Sequence, residues 1–269
     1  MKDKVLCIGC SHLSGAYDKH DAIVNAESWA WHLWKRRGRN ETFYTLPSPG
    51  QGIMQYSAII ETLKNKNKLS QFKYVIIQLT SEPRINWYGG LPQNYYFSVI
   101  PYFTDSNEND FNDGQKMYER YSKSIVLSSG FRKMYEIHEH KFTTPDAKNA
   151  WLDISESLYE SFNKSALSQA LFPIYMKYII TTLREHDITP IIFDWWGKTD
   201  EQWQSISDLG IHNNILFDGN SIKQVLTEHN LWKREEQSLG GHLDSIQNKA
   251  VMKFLHKEII EKGLMPDYE

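Results

Sequence analysis

Tyr74-Val75-Ile76-Ile77-Gln78-Leu79 is the stretch that decides the fold. Its apolar residues run on without alternation and include a β-branched core, the pattern of a strand covered on both faces, as in a parallel sheet. Working outward, Val5 to Gly9 reads as a first apolar strand. A helix is expected from about Glu27 to Arg37, with Trp29, Leu33 and Trp34 recurring at helical spacing as core residues. Thr42 to Leu46 reads as the next strand, and the turn Pro47-Ser48-Pro49-Gly50-Gln51-Gly52 feeds a helix over Ile53 to Leu63. Strand, helix, strand, helix, strand predicts an α/β domain: three layers, with a doubly wound parallel sheet in the middle.

Beyond this core the chain changes character. Residues from Pro83 to about 146 are rich in Tyr, Asn, Asp and Gly and show no clean period. That is too long for a plain connection, so it reads as an aromatic-rich insertion, in part helical around Gly114 to His138. One or two helices are expected between Ala147 and His186, then a strand Pro190 to Asp194 and a helix near Glu201 to Asp208. Ile215-Leu216-Phe217 reads as a last short strand. A closing helix from about Asp244 to Lys262 would bury Ile246, Ala250, Phe254 and Ile259 on one face.

The bulk numbers exclude several classes of function. The 269 residues suit a single domain, 1–269, carrying the insertion. A net charge of −3 leaves no basic stripe to neutralise phosphates, so nucleic acid is not an expected partner. No apolar run is long enough to span a bilayer, so no membrane role is expected either. The N-terminus runs straight into a strand with no signal-peptide pattern, which predicts a cytoplasmic start and leaves a virion-associated protein open. Cys7 and Cys10 are spaced C-x-x-C, but Cys7 lies inside an apolar strand, where packing rather than redox chemistry is expected.

Ligands of open α/β sheets bind beyond the carboxyl ends of the strands. Three loops there carry suggestive residues. Gly9-Cys10-Ser11-His12-Leu13-Ser14-Gly15 puts a serine at a turn near a helix start, whose N–H groups can steady an oxyanion. Pro49-Gly50-Gln51-Gly52 offers bare backbone donors, and Gly240-Gly241-His242-Leu243 brings an imidazole before the final helix. Plainer readings stand beside these: Ser11 as a helix N-cap, Gly50 and Gly52 as turn glycines, His242 as a satisfied loop histidine.

Taken together, Gly9-x-Ser11-x-x-x-Gly15, Gly50 and His242 resemble, in order, blocks of the SGNH/GDSL hydrolases, with Cys10 where that family has Asp. The resemblance covers both ends of the chain and excludes the insertion. It implies a flavodoxin-like SGNH architecture and acyl-ester hydrolysis, by an esterase or a carbohydrate O-deacetylase. Ser11 would be the nucleophile, His242 the base, and the Ser11 and Gly50 N–H groups the oxyanion donors. Two departures follow. The third block, Gln78-Leu79-Thr80-Ser81-Glu82, has no Asn, so Thr80 or Ser81 would have to donate with a hydroxyl. The position three before His242 is Leu239 instead of Asp, which leaves a Ser–His dyad or a site that has lost hydrolysis. Asp244, followed three residues later by Gln247, reads as an N-cap of the last helix.

Around this core, His12 is expected to line the pocket, and Arg84 to hold a substrate carboxylate unless it forms a surface ion pair. Asp194 and Trp195, ending a buried strand, could reach substrate, the adjacent tryptophans suiting a sugar ring, although ordinary edge packing explains them equally well. His138 and His140 have a His-x-His spacing, but no third ligand follows, so no metal and no cofactor is expected. The expected partner is a small-molecule or glycan ester. The competing readings are a non-catalytic binding or structural protein, and a transferase passing the acyl group to an alcohol.

Overall fold

The computed structural model describes residues 2–18, 23–25, 27–47, 52–80, 85–87, 125–127, 166–198, 200–232 and 242–268. Four parallel strands make the central sheet: β1 (Lys4–Gly9), β4 (Thr42–Pro47), β5 (Tyr74–Leu79) and β8 (Thr189–Asp194), in the order β4-β1-β5-β8. The register sets Ile8 beside both Leu46 and Ile77, and Leu79 beside Asp194. The carboxyl ends therefore finish on one edge. Isolated parallel bridges, Ile192 to Ile215 and Asp194 to Ser221, continue the pairing past β8.

Successive side chains of a strand point to opposite faces, so a strand buried on both sides feeds two cores. On one face Leu6, Ile8, Val75, Ile77 and Ile192 pack against α2 (Ile53–Asn65) and α3 (Ala166–Glu185). On the other, Val5, Cys7, Ile76, Ile191 and Phe193 pack against α1 (Trp29–Arg36), α5 (Ile222–Glu228) and α6 (Ser245–Glu261). Each fully buried Val, Leu, Ile or Phe contributes about 1.5–3 kcal/mol relative to an exposed one. The chain is thus an α/β protein with helices on both faces of a parallel sheet. Trp29, Leu33 and Trp34 lie in the core, as their spacing requires. Cys7 and Cys10 are buried free thiols, and burial pushes the Cys7 thiol up, keeping it neutral.

Three expectations are corrected. Ile215-Leu216-Phe217 is not a strand: only Ile215 makes a bridge, and a 3-10 turn runs over Leu216–Gly219. Phe217 and Asp218 are left-handed, which an extended strand cannot accommodate. The buried face of α6 is formed by Asn248, Val251, Met252, Leu255 and Ile259, whereas Ile246 is exposed. Within the span expected to be helical around Gly114 to His138, Ile125–Leu127 is a strand, β7, antiparallel to β6 (Ile85–Trp87). This Ile-Val-Leu segment is what β-branched residues favour. The rest of the insertion lies outside the described residues, as do residues 147–165, while α3 occupies the remainder of the helical stretch expected up to His186. The short pair β2 (Ala16–Tyr17) and β3 (Ile23–Asn25), α4 (Asp200–Ser207) and α5 complete the described elements.

Among the described residues no helix is long and apolar enough to cross a membrane.

Candidate active site

The site grows from the end of β1. Gly9 is required there because a Cβ at this position would stand 2.5 Å from Oε1 of Gln78. Gln78 is fully buried, a polar interruption in the apolar strand β5. Its amide is used throughout: Oε1 accepts from Trp29 Nε1 at 3.3 Å, and Nε2 points to Cys10 Sγ at 3.7 Å. Its carbonyl accepts from the Tyr56 hydroxyl at 2.9 Å. The third strand is thereby locked to the start of the serine loop and to two helices.

Past Cys10 the chain turns through a short 3-10 helix, Ser11–Leu13. Leu13 N–H donates to the Cys10 carbonyl at 3.0 Å and Ser14 N–H to the Ser11 carbonyl at 2.9 Å. The Tyr17 hydroxyl donates to the same Ser11 carbonyl at 2.8 Å. The serine main chain is therefore held from both sides of the turn.

The imidazole arrives from the other end of the chain. Asp244 caps α6 in a reciprocal capping box with Gln247, as its spacing requires. Leu243, just before it, is buried, and its carbonyl accepts from Tyr17 N–H at 2.9 Å. Asn248, one turn into α6 and fully buried, ties the loops together. Its Oδ1 accepts from Trp29 N–H at 3.1 Å. Its Nδ2 faces the carbonyls of Gly15, Leu243 and Asp244 at 3.4, 3.3 and 3.0 Å.

The outcome is that His242 Nε2 lies 2.7 Å from Ser11 Oγ, across 231 residues of sequence. In the neutral imidazole protonated on Nδ1 this is a hydroxyl donating to Nε2, the relation a nucleophile needs with its base. The ring plane of His242 is set by aromatic packing: Tyr17 stacks on it at 4.1 Å with a 12° interplanar angle. His12 sits tilted against it at 5.0 Å. His12 in turn stacks on Trp195 at 4.0 Å.

The other expected site residues divide. Thr80 is buried at the end of β5, and its carbonyl accepts from Lys198 Nζ at 2.5 Å. Gly50, Ser81 and Arg84 lie outside the described residues, as do Leu239, His138 and His140. Three of the residues expected to contact substrate are buried. Asp194 is fully buried, with one carboxylate oxygen taken by Lys198 Nζ at 2.8 Å and the other by Gly197 N–H. An ionised carboxylate in that position is stable only when paired, so it holds Lys198 instead of substrate. Trp195 is fully buried beneath His12, whereas Trp196 is only partly buried. His12, 3% exposed, backs His242 instead of lining open space.

Sequence reasoning missed Tyr17, Asn248 and Lys198. Tyr17 carried no motif, and Asn248 resembles an ordinary polar helix residue. For Lys198, the spacing Asp194-x-x-x-Lys198 was the available signal.

The chain matches no protein-family model and no curated protein sequence.

Proposed function

We propose that this protein is a serine hydrolase of the SGNH type that cleaves an acyl ester, as an esterase or carbohydrate O-deacetylase. The observation that carries the reading is the 2.7 Å approach of His242 Nε2 to Ser11 Oγ. Ser11 Oγ attacks the carbonyl carbon while its proton passes to His242 Nε2. The tetrahedral intermediate collapses as the imidazolium returns that proton to the departing alcohol. A water then attacks the acyl-serine with His242 again as base, releasing the acid and restoring Ser11. The oxyanion falls to the Ser11 N–H and to donors from the loops that follow β4 and β5. Strands β4 and β5 flank β1, the strand that leads into the serine turn, and Gly9 pairs with Pro47.

The Asn and Asp of the resembled family are replaced, so the imidazole depends on its neighbours for orientation. Tyr17 supplies a parallel ring at 4.1 Å, and Asn248 anchors the carbonyls on either side of the turn into α6.

The test is hydrolysis of a short-chain aryl acetate by the parent protein beside Ser11→Ala and His242→Ala. Turnover by the parent is expected, with both variants at background. The double variant should fall no further than either single one, because paired catalytic groups act as a unit. A parent that neither turns over the ester nor labels at Ser11 with a serine-reactive organophosphate would remove the hydrolase reading in favour of a non-catalytic glycan-binding one. Transfer to an added acceptor alcohol, read from the products, would instead make it a transferase.

A further inference from the structure

A second feature lies along the same sheet edge. Beyond the carboxyl end of β8 is a cleft of about 540 Å³, within the roughly 300–1,000 Å³ typical of small-molecule sites. Trp196, Trp203, Lys198, Asp218, Lys223 and Gln224 are among its walls. Among the described residues no aliphatic or phenyl side chain lines it, which argues against an acyl chain as its occupant. Two half-exposed indoles alternate there with amides, hydroxyls and isolated charges.

Two of the four charged side chains among the described walls are ion-paired. Lys198 pairs with Asp194 at 2.8 Å, and Asp218 with Lys262 at 3.0 Å. Lys223 Nζ lies over the Trp196 ring at 5.2 Å and the Trp232 ring at 5.8 Å. Aromatic rings set among hydrogen-bonding side chains complement a pyranose, which has an apolar C–H face and a rim of hydroxyls.

The backbone around the cleft is specialised. Phe217 and Asp218 are consecutive left-handed residues, at φ 58° and 50°, a conformation that non-glycine residues avoid. They are held by Phe217 N–H donating to Glu258 and by the Asp218–Lys262 pair. The turn brings Gly219 against the Trp203 indole: a Cβ there would stand 3.0 Å from Nε1. The cleft is joined to the Ser–His pair through rings, Trp196 meeting His12 edge-on at 6.2 Å and His12 meeting His242 at 5.0 Å. Strands β1 and β8 are separated by β5 alone, so the two strands are roughly 10 Å apart at about 4.8 Å per strand.

We infer that this cleft binds a neutral pyranose unit of an oligosaccharide, holding the alcohol side of the ester while the acyl group lies at Ser11. The placement of the acyl group rests on the hydrolase reading above; the binding of sugar does not.

Two measurements separate these parts. Calorimetric titration of the Ser11→Ala protein with cellotetraose, xylotetraose and tetra-N-acetylchitotetraose should show a Kd between about 10 µM and 1 mM for at least one of them. Trp196→Ala should weaken that binding at least about tenfold, with Trp196→Phe recovering part of it. Thr227→Arg, on the exposed rim of the cleft, fills it without removing packing and should weaken binding equally. With the parent active site, both cleft variants should lower kcat/KM for the acetylated form of that sugar about tenfold more than for an aryl acetate. No binding of any of the three sugars, or binding indifferent to both variants, would overturn the cleft assignment. Sugar binding lost in both variants, in a protein whose parent hydrolyses no aryl acetate, would keep the cleft and sink the hydrolase reading alone. Equal losses on both esters would overturn the alcohol-side placement.

Discussion

One residue, Tyr17, contacts both members of the Ser11–His242 pair. Its hydroxyl donates to the Ser11 carbonyl, and its ring stacks on His242. These two functions can be separated by substitution. Tyr17→Phe keeps the stack and loses one hydrogen bond; Tyr17→Ala loses both. A misplacement of about 1 Å at a reacting pair can cost on the order of 10² in rate. Tyr17→Ala is therefore expected to lower aryl-acetate kcat roughly 10- to 100-fold with little change in KM, and Tyr17→Phe to restore most of it. A parallel fall in both variants would assign the role to the hydroxyl. A rise in KM at constant kcat would make Tyr17 a substrate contact. At this scale the sequence was legible where function leaves a mark on spacing. Ser11 and His242 sit in loops whose positions relative to strand and helix ends can be read. Tyr17 is positioned by the return of the chain into β2, a two-residue strand that no periodicity announces.

Among the elements, α6 does more than cover the sheet. Asn248 occupies its buried stripe at the place where a hydrophobic residue would be expected, and there it serves the start of α1, the serine loop and the histidine loop together. Of the face expected from apolar spacing, Ile259 is buried and Ala250 and Phe254 pack against the core, while Ile246 alone is exposed. Removing Asn248 leaves Trp29 N–H without an acceptor, a cost of about 1–3 kcal/mol for a buried unpaired group. Asn248→Asp should be worse than Asn248→Ala, since it sets a carboxylate against three carbonyl oxygens in a buried site. Denaturation midpoints should therefore rank parent, Ala, Asp in falling order. An Asp variant as stable as the Ala variant would show that the amide donor contributes nothing. The helix α5 was missed although its signal was present: Ser221 and Gln224 form a capping box, the same pattern that marked Asp244 and Gln247. Its seven residues are too few for an apolar period to show.

For the whole molecule, the doubly buried strand 74–79 was the informative signal, because only a sheet packed on both faces tolerates such a run. It placed the parallel order of the chain and, with it, the edge where Ser11, Thr80 and Asp194 finish. The depth of each residue below that edge was not legible, since Asp194 and Trp195 differ from Trp196 only by the turn that begins after β8. The same two-faced packing has a consequence for pH. His32 on α1 and His256 on α6 are each partly buried, and both have pKa values lowered from the ordinary histidine value. Burial is the first cause for both. Lys249 and Lys35 add to it at His32 against Glu27, and Arg36 and Arg37 at His256 against Asp267. Between the lowered folded value and the unfolded value near 6.5, the unfolded chain binds more protons than the folded one. Stability from these two groups is therefore complete above the unfolded value and is lost as pH falls through the folded one. The melting temperature should drop between about pH 7.5 and pH 5, and His32→Gln with His256→Gln should lessen that drop. Carboxylates also act over part of this range but are common to both proteins, so the difference between the two pH profiles isolates the imidazoles. Superimposable profiles would mean that the α1–α6 layer opens enough to solvate both rings before their protonation is felt.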